Sequence, residues 1–155
     1  MAVGVNESAK ITGTLFLRGG QVMIMNRAVS GLMTKNLWTV NIEDTIEKVD
    51  EVINAHKLSA VPVLDAENGI FGIISSRDML NFYEAKKNPK SVRAWELCSH
   101  KIISVSPQTT DVEVAELMVQ NKIHHILVTE SGTLQGMVSA LDFVKQYVID
   151  TRTER

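Results

Sequence analysis

One cysteine, three prolines and an aromatic content of 5% are what this 155-residue chain has little of. With Cys98 alone, no disulfide can close within the chain, and the expected compartment is a reducing cytoplasm. Sixteen Lys/Arg against eighteen Asp/Glu give a formal charge of −2, so no basic excess advertises nucleic acid or an anionic membrane surface. Apolar runs stop at four or five residues, far short of the ~20 that a membrane-spanning helix needs. The N-terminus lacks the basic start and continuous apolar stretch of a secretion signal, and none is expected. What remains is ordinary for a folded chain: 45% hydrophobic and 22% charged residues. At this length about 70% of the unfolded surface can be buried, enough for one domain or two very small ones.

The chain repeats itself. Shifted by 65 residues, Met33 to Asp65 lies on Cys98 to Glu130 without a gap. Val40 meets Val105, Thr45 meets Thr110, Val49 meets Val114, Lys57 meets Lys122 and Val63 meets Val128. One deletion later, Gly72-Ile-Ile-Ser75-Ser-Arg-Asp78 falls on Gly136-Met-Val-Ser139-Ala-Leu-Asp142.

Each copy predicts the same order of elements. A short strand (Leu37 to Val40; Ile102 to Val105) leads to a threonine, Thr45 in one copy and Thr109 or Thr110 in the other, that can cap a helix over Thr45 to His56 or Thr110 to Asn121. Ile46, Val49, Val52 and Ile53, matched by Val114, Leu117 and Met118, give those helices one apolar face. β-rich runs follow at Val61 to Leu64 and His125 to Thr129. Turns at Asn68-Gly69 and Ser131-Gly132 then lead to strands over Ile70 to Ile74 and Leu134 to Val138. A last helix starts near Ser76 and near Ala140. One copy is too small to bury its own faces, so the two must pack together. Ile11 to Leu17 reads either as an edge strand ended by Arg18-Gly19-Gly20 or as a loose leader. Lys86 to Lys90 reads as the linker, with Pro89 discouraging helix before it.

This doubled pattern, each copy ending in Gly-hydrophobic-hydrophobic-Ser-x-x-Asp, resembles a pair of cystathionine-β-synthase (CBS) domains, together called a Bateman module. The resemblance covers Val29 to Val148. It implies an α+β fold of two pseudo-symmetric βαββα units packed sheet to sheet, often as a disc-like dimer. It also implies clefts between the units that bind an adenosine-containing ligand (AMP, ADP, ATP or S-adenosylmethionine) to regulate a separate partner. The division expected on this basis is a leader or edge strand at 1–28, a first unit at 29–88 and a second at 89–155.

The family's site residues fall on definite positions. Ser75 and Ser139 end a strand where a helix begins, so free amides, the helix dipole and a hydroxyl can all face a phosphate. Asp78 and Asp142, one turn later, suit the two hydroxyls of a ribose. The same residues also read simply as helix caps and first-turn charges. Each cleft should join the Ser-x-x-Asp of one copy to the other copy's early loop. Ser139 and Asp142 would thus face Thr39, Leu58, Ser59 and Ala60, while Ser75 and Asp78 would face Ser104, Ile123, His124 and His125. Leu58 or Ile123 would cover an adenine face. The clefts differ, because His124 and His125 replace Ser59 and Ala60, and Leu127 stands where the first copy has the family's Pro62. With Arg77, Arg93, Lys101 and Lys122 as further candidates, the Asp78 cleft favours several phosphates and the Asp142 cleft a leaner ligand.

Other chemistry is not expected. Adjacent strand residues point to opposite faces, so His124 and His125 make a poor metal pair; His56, His100 and Cys98 lack partners at ligand spacing. Cys98 takes the place of Met33 in the other copy, which favours packing over nucleophilic catalysis, and no P-loop is present. Met23, Met25 and Met33 read as core or dimer-face residues, and Trp38 and Trp95 are expected where sheet and helices meet. No enzyme, required cofactor or metal is expected. The alternative function is a structural or interaction module with empty clefts.

Overall fold

The computed structural model describes residues 26–153, together with the backbone of two short paired strands, β1 (Leu17–Arg18) and β2 (Gln21–Val22). Most of the strand expected over Ile11 to Leu17 lies outside the described residues, as do Met23 and Met25.

Threonine caps the first helix of each unit, and of Thr109 and Thr110 it is Thr110 that does so. Thr45 accepts from the amide of Lys48 and starts α1 (Ile46–His56); Thr110 accepts from Glu113 and starts α4 (Asp111–Asn121). Each helix ends on a lysine in the left-handed region, Lys57 (φ 52°) and Lys122 (φ 54°). The first unit then runs β3 (Val40–Asn41), α1, β4 (Ala60–Leu64), β5 (Ile70–Ser75) and α2 (Ser76–Glu84). A short α3 (Ala94–Leu97) leads to the second unit, which runs β6 (Ser104–Val105), α4, β7 (His125–Glu130), β8 (Thr133–Ser139) and α5 (Ala140–Thr153). Each unit holds a three-stranded sheet with β4 or β7 in the middle, parallel to the first strand and antiparallel to the last. The architecture is therefore α+β, two βαββα units.

The two hairpins solve one problem differently. Ser131 (φ 50°) and Gly132 (φ 78°) make a two-residue turn with both central residues left-handed, the geometry that matches strand twist. In the first unit the loop is longer. Asp65 Oδ1 accepts from the amides of Glu67 and Gly69, while Asn68 takes the positive φ.

The first strands are shorter than expected, and Pro62 explains part of this. The amide of Leu127 donates to the Ile103 carbonyl (3.2 Å), extending the hold of β7 on the incoming chain. Pro62, at the same place in β4, has no N–H to give Trp38. Pairing accordingly begins at Ser104 in the second unit but only at Val40, the mate of Val105, in the first. Trp38 is 53% exposed and stacks on His56 (centroids 3.6 Å, planes 11° apart), and Trp95 is 45% exposed. The expectation that both would pack between sheet and helices is thus corrected.

The segment ahead of each first strand is exchanged between the units. Ala28 and the 3-10 turn Val29–Gly31 pack on the second unit: Val29 is fully buried in its core, beside Leu32 and Met33. Residues 92–98 pack on the first unit, where Ala94 and Cys98 join the core of Val40, Ile46, Val49, Val61, Val63 and Ile74. The bonds obey the repeat: Ser99 exchanges both backbone hydrogen bonds with Ile73, and Thr34 does the same with Met137. The motif glycines make room for this. A Cβ on Gly72 would lie 2.6 Å from Cys98 Sγ and 2.9 Å from the Ser99 carbonyl oxygen; one on Gly136 would lie 2.7 Å from Met33 Sδ and 2.8 Å from the Thr34 carbonyl oxygen. Burial also raises the pKa of the Cys98 thiol above its ordinary value.

Gly72→Ala should therefore destabilise the protein by about 1–3 kcal/mol, the usual cost of overpacking, because a backbone oxygen cannot rotate away. Gly31→Ala, with nothing within 4 Å of its Cβ position, is the matched control and should change little. Equal urea midpoints for the two variants would refute the close-approach account.

Candidate functional site

Between the units lies a cleft of about 610 Å³, with walls from both. On the first-unit side are Ser59, Ile73, Ser75, Arg77 and Asp78, with Ser99 bonded to Ile73; on the other are Lys101, Ile102, Ile103, Lys122, Ile123, His124, His125, Leu127, Ser139 and Leu141.

The repeat builds its polar wall from one local device used twice. Ser75 caps α2, and its amide and hydroxyl both donate to Asp78 Oδ2, at 2.7 Å each. Ser139 and Asp142 repeat this at 2.8 and 2.7 Å. Each carboxylate is thereby fixed by one oxygen, at a helix start where negative charge is favoured. Asp78 Oδ1 takes no bond among the described residues, while Asp142 Oδ1 lies 3.7 Å from Lys145 Nζ. The serine hydroxyl's one hydrogen is committed to its aspartate, so what Ser75 offers an incoming group is position and neighbouring amides rather than a free O–H.

Of the residues assigned to the Asp78 cleft, the structure brings together Ser75, Asp78, Ile123, His124 and His125. Ser104 does not line it, whereas Ile102 and Ile103 just before it do. Ser59 and Ser139, assigned to the other cleft, line this one too, near the place where the copies meet. Thr39, Leu58, Ala60 and Asp142 are not part of this lining. Leu58 packs on the first core and Ala60 is 2% exposed, pairing with Ser75 in the sheet. Arg77, Lys101 and Lys122 line the cleft; Arg93 instead donates to the Glu43 carbonyl. The wall residue with the least sequence signal is Ser99, which belongs to the exchanged segment.

One side-chain bond crosses from unit to unit here. Ser59 Oγ and His125 Nε2 lie 2.8 Å apart. Burial, followed by the charge of His124, lowers the pKa of His125, with Asp142 opposing. The contact with Ser59 brings His125 into the cleft as a hydrogen-bonding group. His124 faces the cleft from an exposed position.

These features define a class first: two βαββα repeats with a ligand-sized cleft between them, flanked by a Ser-x-x-Asp helix start. The sequence profile of the CBS domain matches residues 29–85 and again 94–149, and the chain belongs to the CBS-domain family. It is 32% identical to an inosine-5′-monophosphate dehydrogenase of Bifidobacterium longum over 142 residues, 89% of this chain and 26% of that protein. The chain thus spans about a quarter of the length of the dehydrogenase. It is also 30% identical to a CBS domain-containing protein of Dictyostelium discoideum, over 77% of this chain and 90% of that one. Among solved structures, an uncharacterized conserved protein from Pyrococcus horikoshii shares the fold, with a TM-score of 0.74 at 19% identity, covering 81% of this chain and 95% of its own. A CBS-domain containing protein from Agrobacterium tumefaciens does so at 0.72 and 23%, covering 86% and 98%.

The lowered pKa of His125 sets a sign for pH dependence. Its folded pKa lies below the unfolded value, so above about pH 6.5 the group adds no pH dependence. As pH falls through that value the unfolded chain takes up a proton that the folded one refuses, and stability drops. A histidine NMR titration should place His125 below the ordinary value, and His125→Gln should flatten the stability profile just below about pH 6.5. A His125 midpoint at or above the ordinary value would contradict the assignment.

Proposed function

We propose that this chain is a non-catalytic regulatory module that binds an adenosine-containing ligand, AMP, ADP, ATP or S-adenosylmethionine, between its CBS units and signals to a separate protein. The observation that carries the reading is the cleft itself. Its volume of about 610 Å³ falls in the range of small-molecule sites, and its walls come from both units. A ligand seated there touches both halves at once and favours whichever packing it binds more tightly; the shift it can impose is limited by that difference in affinity. Family membership supports the reading, and so does the likeness to dehydrogenases named for a purine nucleotide.

A second copy of the chain is the partner the surface supports. Leu80 and Tyr83 on α2 are 58% and 44% exposed, and their mates in the repeat, Val144 and Tyr147 on α5, are 57% and 54% exposed. Two matched apolar helix faces favour a homodimer and keep open the reading as a pure interaction module. No helix among the described residues is long and apolar enough to cross a membrane, and a cytoplasmic location fits the lone buried cysteine.

Thermal unfolding with AMP, ADP, ATP and S-adenosylmethionine tests the reading. A ligand at 100 times its Kd adds about 2.7 kcal/mol, a rise of roughly 5–10 °C for a chain of this size. Asp78→Ala should weaken one site and Asp142→Ala the other. No shift with any of the four would leave the interaction module as the function.

A further inference from the structure

We propose that two copies of the chain pair like with like across a twofold axis, α2 on α2 and α5 on α5, with Arg77 of each copy against Glu84 of the other. The inference rests on reading a second copy as the partner, and adds how the copies are oriented.

The repeat gives the two helices surface stripes of the same spacing but different ends. On α2 the stripe is Arg77, Leu80 and Glu84; on α5 the matching positions hold Leu141, Val144 and Val148. Spacings of three and four residues put each set on one helix face. All six side chains are exposed, Leu80 by 58% and Leu141, Val144 and Val148 by 59%, 57% and 39%. The α5 stripe is therefore apolar throughout, while the α2 stripe has an apolar centre, a cation at one end and an anion at the other. Arg77 and Leu141, at the helix starts, line the cleft as well.

Arg77 and Glu84 stand two turns apart, about 10 Å along the helix axis, too far to pair with each other. Among the described residues neither forms an ion pair. A twofold interface is isologous, so a contact from Arg77 to Glu84 of the second copy is made twice. Antiparallel α2 helices crossing near Leu80 supply it: the leucines meet at the axis and each guanidinium meets a carboxylate. The same operation sets Leu141 against Val148 of the second copy, with Val144 at the centre, so apolar surface covers apolar surface. Packing α2 on α5 instead would lay Arg77 and Glu84 on Leu141 and Val148, stripping water from both charges with nothing to replace it. Parallel α2 helices would set Arg77 against Arg77. Charge complementarity thus selects one orientation and penalises the others.

Cysteines placed at the stripe centres read the orientation. Leu80→Cys and Val144→Cys, each in the full chain with the buried Cys98 left in place, are treated with a short bismaleimide beside the unsubstituted protein. Each variant alone should be cross-linked to a dimer, and a mixture of the two should contain no Leu80→Cys chain joined to a Val144→Cys chain. Cross-links found only in the mixture, or in no sample of a dimeric protein, would overturn the orientation while leaving the homodimer standing. Sedimentation equilibrium then tests the charges. Glu84→Arg should weaken the dimer about tenfold, and adding Arg77→Glu should restore it to within about threefold. All four positions are exposed, so these changes leave both cores untouched. Weakening without restoration, or no weakening at all, would overturn the Arg77–Glu84 contact. A monomeric unsubstituted protein would overturn this inference and the homodimer together.

Discussion

The structure depends on a backbone-to-backbone contact that a single methyl group would forbid. Gly72 and Gly136 let the chain ahead of the opposite unit approach within van der Waals limits, where Ser99 and Thr34 form paired hydrogen bonds with Ile73 and Met137. Those bonds cap an outer strand of each sheet, which would otherwise present open donors and acceptors to a neighbour. They also deliver Val29 to one core and Ala94 with Cys98 to the other. The motif glycine is therefore explained by packing, independently of any ligand. The serine and aspartate that follow it are held by a cap that the helix would need in any case.

The parts of the fold legible in the sequence are those decided within about a dozen residues. Thr45 and Thr110 announce their helices because a hydroxyl before an apolar period has one economical use, and Ser131-Gly132 announces a turn because its backbone admits few other residues. The exchange of segments 28–34 and 92–99 was not legible. An internal alignment shows that Met33 corresponds to Cys98, but not which sheet each one reaches; that is settled by three-dimensional closure. Trp38 shows the limit of composition as a guide. Its size argues for burial, yet the missing amide of Pro62 loosens the strand start, and the ring lies on His56 at the surface.

The candidate site was legible in the same graded way. Ser75 and Asp78 follow from the repeat, and the structure lines one cavity with them and with Ile123, His124 and His125. Sequence alone puts Ser59 and Ser139 in the opposite cleft, because it shows the copies only as separate units. In the fold both serines lie close to the meeting of the units, and Ser59 reaches across to His125. The charge of His125 was the part least open to sequence reasoning, because it depends on how much water the folded chain removes from the ring.

The crossed segments also order events during synthesis. The first core contains Ala94 and Cys98, which leave the ribosome after all of that unit's own strands, and the second core contains Val29, made before any of its own. Each core thus draws residues from beyond its own repeat, although each repeat is complete. The nascent chain must hold Val29 and its neighbours unsheltered until about a hundred more residues have followed. A cut at the Lys86–Lys90 loop therefore takes Ala94 and Cys98 from the first core and Val29 from the second.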